Sequence, residues 1–129
     1  MYKLVRILSY WIPPLVWMTA IFYMSSQKSV ATLSDPTTNF ITFKTLHIIE
    51  YAFLFFLLFR AMQSFKKLEM TITTLCAFFI TLFYSLTDEF HQLFIPTRQG
   101  RLRDVFFDIV GILVMYTIIK NVRLVQKLL

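Results

Sequence analysis

An all-α fold, an integral membrane four-helix bundle with an outward-facing polar pocket, is what this chain predicts. Three observations carry that prediction. The chain has 129 residues and is 57% hydrophobic, and its apolar residues come in blocks instead of alternating along helix or strand faces as they would in a soluble domain of this size. Glycine is scarce, with two residues, and helix-compatible residues fill the blocks, whereas a membrane barrel shows short alternating segments. Six of the seven acidic residues and both histidines can be placed on one side of the bilayer once the blocks are threaded as spans. Ionisable groups at membrane depth are costly, so a cluster of them marks a functional site by default. The length suits one compact bundle, with residues 1–129 read as a single domain.

Span one is expected from roughly Ile7 to Met24. Lys3 and Arg6 precede it, as in the n-region of a signal peptide. Pro13-Pro14 in its middle and the lack of an A-x-A-like cleavage site favour an uncleaved span. The proline pair predicts a kink, since proline removes a backbone donor and clashes with the preceding turn. A loop is expected from Ser25 to about Thr42. Within it Ser34-Asp35-Pro36 suits the start of a short interfacial helix, with Asp35 as N-cap and Pro36 at the first helical position. Span two follows from Lys44 to Met62, continuously apolar only from Tyr51 to Phe59. Span three runs from Met70 to Thr87, and span four from Asp104 to Ile119. The last three are near the short limit of about 17–25 residues for crossing the hydrocarbon core, so their polar ends are expected to extend into the headgroup region.

The formal net charge is +6. In a membrane protein this points to cytoplasmic loops and anionic headgroups. The basic residues are dispersed among span ends, which argues against nucleic-acid binding. With the N-terminus in the cytoplasm, Lys3, Arg6, Arg60, Lys66, Lys67, Lys120, Arg123 and Lys127 lie inside, eight of the thirteen Lys and Arg. Lys28, Lys44, Arg98, Arg101 and Arg103 lie outside. The expectation is a multi-pass cell-membrane protein with both termini cytoplasmic. The lone cysteine, Cys76, excludes an intrachain disulfide.

Three segments then converge on the outer face. His47, Glu50 and Tyr51 share a helix face by their i, i+3, i+4 spacing. Asp88, His91 and Gln92 share one if helix continues through Asp88-Glu89-Phe90-His91-Gln92. Asp104, Asp108 and Gly111 share a third. Each has a structural reading as well. Asp104 suits the cap of span four, and Asp108 and Glu50 suit the positive N-terminal ends of their helices. Asp88 and Glu89 sit at a helix C-terminus, where the dipole disfavours negative charge. Arg98, Arg101 or Arg103 is the expected partner, and a salt-bridge network in that loop would account for them without chemistry.

Several motifs together resemble the VanZ-like membrane proteins, named for a teicoplanin-resistance protein. They are Ser25-Ser26-Gln27, Lys44-x-x-His47-x-x-Glu50-Tyr51, Asp88-Glu89-Phe90-His91-Gln92, Phe94-x-Pro96-x-Arg98, and Asp104-x-x-x-Asp108-x-x-Gly111. The match covers most of the chain. It departs at Phe43, where relatives often carry an acid, and at Met115, where a second small residue is common. The resemblance implies an integral membrane protein linked to low-level glycopeptide resistance, and no settled mechanism.

The leading functional expectation is a protein that binds or modifies an anionic, lipid-linked cell-envelope component at the outer leaflet. Tyr51, Gln92, Arg98, Arg101 and Arg103 are the expected ligand-binding residues, guanidinium groups matching phosphate or carboxylate. His47, Glu50, Asp88, Glu89, His91, Asp104 and Asp108 are the candidates for acid–base work. Expected partners are membrane lipids and a lipid-linked phosphate, and no resident cofactor or metal is assigned. A second expectation is a metal-dependent membrane hydrolase, with His47-x-x-Glu50 and Asp88-x-x-His91 as paired ligands on two helices. A third is a non-catalytic membrane interaction protein.

Overall fold

The computed structural model describes residues 2–27, 35–65, 68–96, 98, 100–122 and 126. Of the residues singled out above, Lys28, Ser34, Lys66, Lys67, Arg123 and Lys127 lie outside these, as do the side chains of Lys3 and Pro36. Among the described residues there are four helices and no strand: α1 (Tyr2–Ser26), α2 (Pro36–Gln63), α3 (Met70–Gln92) and α4 (Leu102–Asn121). The first three are each long and apolar enough to cross a membrane. The fourth, of 20 residues, holds Arg103, Asp104, Asp108 and Lys120 within an otherwise apolar run.

Helix α1 continues through Pro13 and Pro14 without a break in its assigned length. Helix α2 differs from the expected layout. Asp35 is its N-cap, accepting hydrogen bonds from the Thr38 N–H at 2.8 Å and the Thr38 hydroxyl at 2.7 Å. Pro36 follows at the first helical position, where its missing N–H costs nothing. The helix then runs unbroken into the apolar block. The expected short interfacial helix is therefore the first turns of α2, which begins eight residues before Lys44. Helix α3 also runs further than its apolar block, carrying Asp88 to Gln92 on its last turns.

Helix α2 is the centre of the assembly. It packs on each of the other three, while α1 and α4 both pack on α2 and α3. Its apolar window is 39% buried, against 11% for α1 and 22% for α3, so α1 is mostly a lipid-facing stave. Tyr51, Leu54, Phe55, Leu58 and Phe59 of α2 form the core with Ile21, Ala77, Ile112 and Ile119. Phe79, Phe83 and Leu113 face outward, as expected where the surrounding solvent is hydrocarbon.

In lipid, close packing and interhelical hydrogen bonds hold helices together, because lipid tails are as apolar as leucine. Gly111 supplies the close packing between α2 and α4. A Cβ there would collide with the backbone carbonyl of Ile48. Hydrogen bonds fasten α1. The Trp17 indole donates to the Glu50 carbonyl at 3.0 Å, and the Tyr84 hydroxyl donates to the Met18 carbonyl at 2.5 Å. Alternating helix direction brings the C-terminal ends of α1 and α3 beside the N-terminal ends of α2 and α4. All the acids of the expected site, Glu50, Asp88, Glu89, Asp104 and Asp108, gather at that one end.

Candidate functional site

Asp108 on α4 is a fully buried carboxylate. Its two carboxylate oxygens are both engaged. Oδ1 lies 3.0 Å from His47 Nδ1 on α2, and Oδ2 accepts the Ser85 hydroxyl of α3 at 2.5 Å. A carboxylate only accepts, so Nδ1 of His47 carries the proton toward Asp108 and Nε2 is the other ring nitrogen. One turn earlier on α4, Asp104 pairs with Lys44 of α2, Nζ to Oδ1 at 2.5 Å, with both side chains nearly buried. Lys44 also lies over the rings of Phe40 and Phe107 at 5.5 and 5.7 Å. Asp104 is thus not the cap of α4. It sits in the first turn, after an Arg101 N-cap that makes no side-chain cap bond.

Glu89 of α3 supplies what Arg101 lacks. Its Oε2 accepts the Arg101 backbone N–H at 2.7 Å, so a carboxylate from one helix caps the next and meets the positive end of its dipole. Gly100 permits this approach, since a Cβ there would collide with the Glu89 carbonyl. The cost of an acid at the C-terminus of α3 is offset in this way by an N–H. Asp88 is satisfied differently, its Oδ2 accepting the Gln92 amide at 3.0 Å. Among the described residues at this end, Glu89 Oε1 is buried with no hydrogen-bond partner and Asp104 Oδ1 has only its ion pair with Lys44, which makes no well-angled hydrogen bond, while the buried Tyr51 hydroxyl and Asp88 carboxylate interact without a well-formed hydrogen bond.

The arginines divide by role. Arg98 donates from Nε to the Gln27 carbonyl and from Nη2 to the Met24 carbonyl, each at 2.9 Å. Helix α1 has no basic residue in its last turn, and its final carbonyls lack helical partners. Arg98 caps that end from across the bundle. Arg103 is half-exposed, 4.0 Å from Asp104 Oδ1 and over the Phe40 ring at 5.2 Å. Arg101 reaches the cluster through its backbone, and its side chain is exposed. Arg98 and Arg103 make these contacts in place of the expected pairing with Asp88 and Glu89.

A cavity of about 140 Å³ opens between α1, α2 and α3 at this end. His47, Glu50, Asp88, Gln92, Ser25 and Arg98 line one part of it, and Ile21, Met24, Phe43 and Leu46 the other. His91 lies elsewhere. Its ring packs on Phe22 at 4.4 Å, and Nε2 is 3.0 Å from the Ser26 hydroxyl, so it joins α3 to α1. Tyr51 is wholly buried in the core below, stacked parallel to His47 at 6.3 Å. The expected ligand pair Asp88-x-x-His91 is therefore split, whereas His47 and Glu50 both line the cavity. The donors that converge from three helices are His47, Glu89 and Asp104.

A family model described as VanZ/LLP1 matches residues 10–125, from the first half of α1 to beyond α4. The chain belongs to that family. Comparison with curated proteins and with solved structures returns no match. Within this VanZ/LLP1 chain the motifs that carried the resemblance fall at one end of the bundle, each on a different helix or on the α3–α4 connection. Ser85 is a member of the site that the motifs did not include. It lies one turn before Asp88 on the same face of α3, and that spacing was its only signal. Lys44 was legible as part of a motif, but its bond to Asp104 was not.

Proposed function

We propose that this VanZ-family membrane protein binds an anionic, lipid-linked cell-envelope component in the cavity at its polar end, facing the outer leaflet, and thereby lowers susceptibility to the lipid-tailed glycopeptide teicoplanin. The observation that supports the reading is the split lining of that cavity. Apolar Ile21, Met24, Phe43 and Leu46 suit a lipid-like stem, and Arg98, His47, Gln92, Glu50 and Asp88 suit a polar head. Two carboxylates beside one guanidinium do not suit a bare phosphate. They suit a head that carries hydroxyl or ammonium donors next to its phosphate, with Arg98 on the anion and Glu50 and Asp88 accepting from the donors. Phe43, where relatives often carry an acid, makes this chain's cavity more apolar on the stem side.

The test is teicoplanin susceptibility of cells expressing wild-type protein, Glu50→Gln or Asp88→Asn at matched membrane levels, with the exposed change Lys120→Ala as control. Protection by wild type and Lys120→Ala, lost in both cavity variants, is the expected result. Equal protection by all four proteins would overturn the reading.

A further inference from the structure

We infer that His47, Glu89 and Asp104 form a site for one divalent transition-metal ion, held between α2, α3 and α4. One donor atom from each lies within 4.8 Å of the donors of the other two. Bonds of about 2.0–2.2 Å to a shared ion place donors about 3.3–4.2 Å apart, a closure within the reach of small side-chain rotations. An imidazole with two carboxylates selects a zinc- or manganese-like ion over calcium or magnesium, which prefer all-oxygen sites.

Two further observations point to a cation. Glu89 is 4% exposed, and its Oε1 is buried with no hydrogen-bond partner while Oε2 holds the Arg101 N–H. Leaving a buried carboxylate oxygen unpartnered is expensive, and metal ligation removes that cost. His47 is arranged as a ligand usually is. Its Nδ1–H is directed to Asp108, which Ser85 fixes in turn, so Nε2 is left to present its lone pair. A carboxylate behind the ligating histidine sets the tautomer and raises its basicity. Lys44 does not preclude an ion there, because a carboxylate offers two oxygens and the ion pair with Lys44 is made through Oδ1 of Asp104.

The site does not depend on the cavity reading, and the experiment separates the two. The full chain, solubilised in detergent and stripped with a chelator, is titrated with cobalt(II), whose visible absorption reports ligand number and type. Wild type and Glu69→Gln, a change at the opposite end of the bundle, are expected to bind one equivalent. Glu89→Gln, which keeps an oxygen for the Arg101 N–H, is expected to bind at least tenfold more weakly. Asp108→Asn, which leaves the three ligands in place, is expected to lose about 10–100-fold. Helicity by circular dichroism shows whether each variant is folded, and His47→Gln replaces Glu89→Gln if the latter is not. No stoichiometric binding by helical wild type, or wild-type affinity in the folded ligand variant, overturns the site. No envelope ligand enters this measurement, and the susceptibility test changes only Glu50, Asp88 and Lys120, which are outside the ligand set.

Discussion

Asp108 shows how one residue ties three helices. It holds His47 of α2 and Ser85 of α3 from α4, in a site with no exposure. Breaking a buried pair by removing one partner costs about 3–5 kcal/mol, because the other is left unsolvated. Asp108→Ala should therefore lower the thermal unfolding midpoint in detergent far more than Ser85→Ala, which removes one hydroxyl and about 1–3 kcal/mol. A midpoint for Asp108→Ala within the error of wild type would show that the bond network is not structural. Asp35 makes the contrasting case at an exposed helix start. The Thr38 hydroxyl, and then the Thr38 N–H, hold its carboxyl below the ordinary value of 3.8. A lowered folded value means that its contribution is fully present above the unfolded value and is lost as pH falls through the folded one. Hydrogen exchange at Thr38 and Asn39 should accelerate in Asp35→Ala at neutral pH, and in wild type only in strong acid.

The helices differ in what anchors them. Helix α4 leans on α2 through Gly111, and Gly111→Leu should separate the pair at a cost of at least about 1–3 kcal/mol of overpacking. A denaturant series in mixed micelles checks this, with no shift in midpoint as the contrary result. Helix α1 is held at its end by a guanidinium. Arg98→Lys keeps the charge but cannot reach two carbonyls with a planar fork, so exchange should quicken in the last turn of α1 while α4 is unchanged. Parallel changes in α1 and α4 would contradict the capping role. The four helices were legible because apolar blocks of this length have few other folds available in lipid. The start of α2 was not. Thr37, Thr38, Asn39 and Thr42 dilute its apolar signal, although the Asp35-Pro36 cap was read correctly. Which acid meets which base was not legible either. Helical spacing assigns faces, and the partners of Asp104, Asp108 and Glu89 come from other helices. Arg98 looked like a carboxylate partner because backbone carbonyls leave no trace in a sequence.

At the scale of the molecule, one end of the bundle is chemical and the rest is mechanical. Antiparallel helices bring two C-terminal and two N-terminal ends together, and Glu89 and Arg98 each cap an end that its own residues leave open. The acids are thus partly explained by structure, and the cavity and the His47–Glu89–Asp104 cluster are where we propose that ligands bind. The seating of α1, finally, carries its own optical gauge. Trp17 is one of two tryptophans. Its indole is bonded to the Glu50 carbonyl and edge-on to Phe53 at 4.9 Å. With Trp11→Phe as background, fluorescence comes from that indole alone. Its emission should move to longer wavelength when Arg98→Gln loosens the helix, so the opening of the bundle beside Glu50 can be followed in native membranes without an attached dye.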